Sequence, residues 1–288
     1  MKINNALWLT VSVSLILTSC KQKVICSWYY EKINAEVLLG KEKEKEIIVG
    51  VIDSGINENF LQLFDEKTIV GGFDFIDNDN QPYSVYNLHG SYISFLIAGK
   101  DFNGLKGIDS RLKVMPVRVF DESGNTDDEL VYKGIKYAID NGCSVINMSF
   151  ASSKYEPYLD SLFQNTENTK FIASNGDFSA NGYCYPATYE GVIPVSAIDE
   201  KGELYQYSNT ATADQSIYAP GVDLPIVSVN INGDIIKTMV SGSSYATAIV
   251  SGIIGSLLLS NDLNEETLTT YDVYEDGYLN CNKLLKKA

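Results

Sequence analysis

From Ser244 to Ser260 the chain runs for 17 residues without a charged side chain. A helix that is apolar all round must be enclosed all round, by lipid or by the rest of a large domain. The run is short for a bilayer and lacks basic flanks, so a buried core helix is expected. Its surroundings follow from the rest of the sequence. Ile47–Ile52, Leu112–Val119, Ser144–Met148, Lys170–Ala173 and Val192–Ile198 are short continuous apolar runs, the form of strands covered on both faces. Amphipathic stretches lie between them at Ser91–Ala98, Thr126–Asp140 and Tyr155–Gln164. The second opens on Thr126-Asp127-Asp128-Glu129, the pattern of a capping box. Strands alternating with helices predict an α/β fold around a mainly parallel sheet, and one such domain can absorb the chain from residue 28 to residue 288.

The 288 residues carry 22 Lys and Arg against 37 Asp and Glu, a net charge of −15. That surface repels phosphate backbones, which argues against nucleic acid as a partner. At the N-terminus, Lys2 precedes the 12-residue apolar stretch Ala6–Leu17, the length of a signal-peptide core rather than of a membrane span. The stretch ends in Leu17-Thr18-Ser19-Cys20, which resembles the lipobox of bacterial lipoproteins. The resemblance implies a signal peptide over residues 1–19, diacylglycerol on the Cys20 sulfur and a short tether over 20–27. The domain is then exported and lipid-anchored on the extracytoplasmic side of the bacterial membrane. Cys26, Cys143, Cys184 and Cys281 remain. Four cysteines allow three pairings; Cys26 and Cys281 lie near the two ends of the domain, but buried free thiols are the expectation.

Three segments carry chemistry. Ile47-Ile48-Val49-Gly50-Val51-Ile52-Asp53-Ser54-Gly55 places an acid at the carboxyl end of a buried strand, the edge where α/β sheets form their sites. Asn87-Leu88-His89-Gly90-Ser91 puts the chain's single histidine at the start of a helix. Ser241-Gly242-Ser243-Ser244 opens the uncharged helix with a serine. Alone, these are a strand-end acid, a structural histidine and an N-cap. Together they supply a nucleophile, a base and an acid to orient the base. Their order, Asp, His, Ser, is the one that separates subtilisin from chymotrypsin and the α/β-hydrolases.

On these blocks the chain resembles the subtilisin-like serine proteases, the subtilases. Ser144-Val145-Ile146-Asn147-Met148-Ser149, Ile217-Tyr218-Ala219-Pro220-Gly221 and Gly277-Tyr278-Leu279-Asn280 extend the likeness from about Trp28 to the C-terminus. It implies a three-layer fold and an endopeptidase in which Ser244 attacks, His89 carries the proton and Asp53 holds the imidazole. Asn175, in Ala173-Ser174-Asn175, stands where the family has its oxyanion asparagine. Ser149, Ala151, Asp177 and Cys184 fall where the resemblance puts the substrate cleft. The implied partner is a peptide or protein substrate, such as a secreted peptide precursor, and the protein is expected to be a monomer.

Some residues depart from the family pattern. Phe95 replaces a small residue on the histidine's helix and is expected to crowd the site; Ser174 replaces a glycine, and Ala248 a proline. The chain also shows no room for a prodomain between Cys20 and Trp28. These features motivate an alternative, a subtilisin-like surface lipoprotein that binds peptides but cleaves them weakly or not at all. No cofactor is expected. Asp77-Asn78-Asp79-Asn80 lacks the glycine and distal glutamate of a calcium loop and reads as solvated, so no metal site is predicted. Glu122, Asp127, Asp128, Glu129 and Asp177 together suggest a preference for basic substrates.

Overall fold

The computed structural model describes residues 27–41, 43, 45–179, 184–209, 216–264, 274, 275 and 277–287. The signal segment, the tether up to residue 26, Cys20 and Cys26 lie outside the described residues. Helices α1 (Trp28–Lys32) and α2 (Glu36–Leu39) precede strand β1 (Ile48–Asp53). There follow β2 (Phe73–Asp74), α3 (His89–Ala98), β3 (Lys113–Arg118), α4 (Asp128–Asp140), β4 (Val145–Met148), α5 (Pro157–Gln164), β5 (Lys170–Ser174), β6 (Val192–Ile198) and β7 (Ile217–Pro220). A hairpin, β8 (Leu224–Val229) and β9 (Ile235–Val240), leads into α6 (Ser243–Leu259), and α7 (Cys281–Lys287) closes the chain.

The sheet has seven strands in the order β2-β3-β1-β4-β5-β6-β7, and every pairing in it is parallel. Side chains alternate between its faces. Val49 and Val51 of β1 join the core beneath α3 and α6, with Val114, Val145 and Ile172 from neighbouring strands. Ile52, Val117, Ile146 and Phe171 point the other way, onto Val131 and Ile135 of α4 and Leu159 and Phe163 of α5. The result is the expected three layers. The chain turns left and right from β1, to β3 on one side and β4 on the other, so the carboxyl edge of β1 is a topological switch point, where open α/β sheets form their clefts.

The uncharged helix α6 is the centre of the larger core. Ile249, Val250, Ile253 and Ile254 are inaccessible to solvent, and its few polar groups are satisfied from within. Ser251 Oγ donates to Asn147 Oδ1 (3.0 Å), and Thr247 Oγ1 donates back to Ser243 O (2.8 Å). Among the described residues no helix is long and apolar enough to cross a membrane.

Three local expectations change. The capping box does not form: Asp127, not Thr126, caps α4 by accepting from Leu130 N–H (2.8 Å), while Thr126 Oγ1 donates to Val119 O (2.6 Å). Asp77 is not merely solvated, because its Oδ2 pairs with the buried Arg118 guanidinium (2.7 Å), which also holds Asp74. Phe95 does not crowd the site, since it is fully buried with Ile56, Phe60, Leu63, Leu105 and Val227 in a separate cluster. Cys143, Cys184 and Cys281 are buried free thiols, and burial pushes Cys143 and Cys281 up to about 12. Replacing Ile253 with alanine would open a cavity in the middle of the α6 core. Urea unfolding is expected to show a loss of about 2–5 kcal/mol with an unchanged slope.

Candidate active site

Asp53 is the last residue of β1 and is almost fully buried, at 3% exposure. One carboxylate oxygen accepts from Ser54 N–H (2.7 Å), and both lie 2.9 Å from Nδ1 of His89, the first residue of α3. Gly90 makes this approach possible: a Cβ there would sit 2.2 Å from Gly55 O and 3.2 Å from Asp53 Cβ. Ser54 Oγ completes the joint by donating to Asn87 O and accepting from Gly90 N–H. Burial alone would lower the His89 pKa, but the charge and hydrogen bond of Asp53 outweigh it, and the pKa is raised.

The segment before His89 is held by a residue whose part sequence reasoning missed. Glu122 accepts from three successive backbone N–H groups, Val85 (3.0 Å), Tyr86 (2.9 Å) and Asn87 (2.9 Å), and from Ser84 Oγ (3.0 Å). Burial works against this carboxylate, but those N–H groups prevail and hold its pKa below the ordinary value. The other acids of the run are also engaged within the protein: Asp127 caps α4, Asp128 binds Lys154 (2.6 Å) and Glu129 binds Lys133 (2.6 Å). Glu129 nevertheless stays 74% exposed, and Asp128 lines the groove that also holds Ala151.

Ser244 stands in the first turn of α6, and Ser149 follows β4. The two exchange hydrogen bonds: Ser244 Oγ donates to Ser149 O (2.9 Å), and Ser149 Oγ donates to Ser244 O (2.9 Å). The neighbouring Tyr245 ring packs on the His89 ring at a centroid distance of 5.8 Å, so the start of α6 faces the histidine. The Asp53–His89 pair is thus formed, while the Ser244 hydroxyl is turned to Ser149. Ser174 has a role beside it, sharing a 2.6 Å hydrogen bond with Ser243 Oγ.

The Asn175 amide is turned inward. It is fully buried, and its Nδ2 donates to Ser196 Oγ (3.1 Å) and Asn209 O (3.0 Å). Asn209 returns a bond to Asn175 O (2.9 Å) and another to Cys184 Sγ (3.2 Å), so the pair staples β5 to the segment around residue 209. Two residues on, Asp177 accepts from Ser243 N–H (2.8 Å) through Oδ2. It is directed at the start of α6 rather than at the rim of a pocket. Ala151 lines a groove of about 410 Å³ with the aromatic Phe120, Phe150, Tyr185 and Tyr189 and the charged Asp128, Lys154 and Glu156.

A family profile described as the Subtilase family matches residues 44–273. The chain is 32% identical over 220 residues to a thermophilic serine proteinase of Bacillus sp. (strain AK1), covering 75% of this chain and 53% of that protein. It is 30% identical over 230 residues to the cell wall-associated protease of Bacillus subtilis (strain 168), covering 79% of this chain and 25% of the relative. It is 30% identical over 237 residues to the major intracellular serine protease of the same organism, covering 78% and 71%. The buried acid on a parallel sheet edge, the histidine bound to it and the serine opening the central helix are thus those of a chain that belongs to the subtilase family. It spans a quarter to about half the length of the first two relatives.

Glu122→Ala would leave three adjacent backbone donors without their acceptor. It is expected to destabilise the fold by about 1–2 kcal/mol and to speed amide exchange at residues 85–87 selectively. Because the folded-state pKa of Glu122 is depressed, its contribution is present above the unfolded value of about 4.3 and is lost as pH falls through the folded pKa.

Proposed function

We propose that this protein is a serine endopeptidase, exported and lipid-anchored through Cys20, that hydrolyses peptide bonds with Asp53, His89 and Ser244. The observation that carries this is the two-oxygen contact of the buried Asp53 carboxylate with His89 Nδ1 at 2.9 Å. That contact fixes the imidazole with its other nitrogen free to serve as a base. This mechanism requires the Ser244 side chain to turn from Ser149 O toward His89, and catalytic hydrogen bonds commonly tighten only when substrate is bound. Ser244 Oγ then attacks the carbonyl carbon while His89 takes the proton. Collapse of the intermediate breaks the C–N bond, and His89 returns the proton to the leaving amine. The Ser244 N–H, at the positive end of α6, faces the developing oxyanion. The aromatic groove beside Ala151 suits an apolar side chain of an extended peptide, and a secreted peptide precursor is a fitting substrate.

A second function, peptide binding with weak cleavage, is favoured by the inward turn of the Ser244 hydroxyl. One measurement separates the two. Intact mass of the full-length protein, purified in detergent from membranes and treated with a fluorophosphonate, is expected to show one adduct on wild type and none on Ser244→Ala. Both proteins should carry the mass of a lipid on residue 20. A well-folded wild type that takes no adduct would establish the binding protein instead.

The raised His89 pKa sets a pH dependence. Only the neutral imidazole accepts the serine proton, so the acid limb of kcat/KM is expected above the unperturbed value of about 6.5. Asp53→Ala removes the anion that raises it. The residual activity, lower by roughly 10⁴, should show its acid limb at lower pH.

A further inference from the structure

Asn147 is a polar residue in an apolar layer. It sits in register between Val51 of β1 and Ile172 of β5, both of which belong to the core around α6. Asn147 and Ser251 are inaccessible to solvent, and Ser149 is buried. Such groups are costly to bury unless each finds a partner, and an apolar side chain would pack there without that need. The three are joined in a chain. Ser251 Oγ donates to Asn147 Oδ1, Asn147 Nδ2 donates to Ser149 Oγ (2.9 Å), and Ser149 Oγ donates to Ser244 O.

The chain can run in one direction only. Ser244 O is a carbonyl and only accepts, so it takes the single Ser149 hydroxyl hydrogen. The Ser149 oxygen is then left to accept, and Asn147 must present its amide nitrogen to it. That turns Oδ1 toward α6, where the Ser251 hydroxyl supplies a donor about two turns beyond Ser244. The bond at Ser244 is made to its main chain. It does not depend on the side-chain rotamer, so it survives the turn of the hydroxyl toward His89 that the mechanism requires. The preceding Ser243 is held from β5 through Ser174 Oγ, so the strands β4 and β5 both grip the first turn of α6.

We propose that Asn147 is a positioning residue for the nucleophile: by committing the Ser149 hydroxyl to Ser244 O, it fixes the peptide that carries the attacking side chain. The proposal rests on the peptidase function above. Asn147 acts through Ser149, and its own amide takes no part in bond making. Attack geometry tolerates little error, and a misplacement of about 1 Å can cost on the order of 10²-fold in rate. Without the Asn147 amide, nothing holds the Ser149 hydroxyl in its donor orientation, and the Ser244 peptide loses its fixed hold. Contacts that bind substrate elsewhere in the cleft are untouched, so the loss falls on kcat rather than on KM.

The test is kcat and KM on a peptide that the full-length wild type cleaves, with fluorophosphonate labelling rate and thermal unfolding recorded alongside. The variants are Asn147→Leu, Ser149→Ala, the two combined, and Ser149→Thr. Asn147→Leu and Ser149→Ala should each lower kcat and the labelling rate about 10- to 100-fold at unchanged KM. The double variant should be no slower than Ser149→Ala alone, because the amide has no hydroxyl left to orient. Ser149→Thr keeps the hydroxyl and should restore the rate. A purely structural asparagine would lower the unfolding temperature and leave kcat per folded molecule unchanged. That result, or losses that multiply in the double variant, overturns the proposal and leaves the peptidase standing. No hydrolysis and no adduct on folded wild type overturns both. If Asn147→Leu does not fold, Ser149→Ala decides: an unchanged kcat overturns the proposal, and a loss restored by threonine upholds it.

Discussion

The structure depends on enclosing one helix. An α6 without charge on any face is stable only where protein surrounds it, and the molecule meets that demand with the sheet on one side and α3 on another. Because its axis ends at the carboxyl edge of the sheet, the first turn arrives where β1 ends in Asp53 and where α3 begins at His89. The same burial that removes Ile249, Val250 and Ile253 from water thus fixes where Ser244 is presented. The exchange of hydrogen bonds between Ser149 and Ser244 locks that end of the helix to β4.

Charge in the cleft is handled unevenly. Asp53 is buried but faces an imidazole that carries or shares its proton, whereas Asp177 accepts from the Ser243 N–H. Glu122 spends its charge on backbone N–H groups and so stiffens the approach to His89. Three carboxylates within one neighbourhood therefore take three different parts, and the surroundings of each decide which. The chain's net charge of −15 is otherwise a property of its surface, where acids such as Glu129 and Asp140 pair with lysines four residues away on α4.

Much of the fold was legible because strands covered on both faces leave unbroken apolar runs, as in Ile48–Ile52 and Phe171–Ala173. The β8–β9 hairpin was not, since Ile235–Val240 mixes exposed and half-buried positions and no apolar face stands out. Asp53 and His89 were readable from residue type and flanking glycines, and the structure pairs them. Asn175 was singled out by its place after β5, where the resemblance puts an oxyanion asparagine, yet its amide is bonded to Ser196 on β6 and to Asn209. Asp177 was read as a residue of the substrate cleft, whereas its carboxyl accepts from Ser243 N–H at the start of α6, a contact that leaves no mark in a sequence. The thiols behaved as small apolar side chains, with Cys143 filling space against Met115 at 3.7 Å.

The late position of α6 has a consequence for timing. Asp53 and His89 belong to the first third of the chain and Ser244 to its last fifth, with β4, β5, β6 and β7 formed from the residues between. A nascent chain can assemble strands and the Asp53–His89 pair, but its larger core stays open until α6 docks. The serine rides on the element that closes that core. Long-range closure of this kind is slow, because the entropy of the intervening loop must be overcome before any contact is gained. The meeting of Ser244 with the Asp53–His89 pair and the completion of the fold are therefore one event.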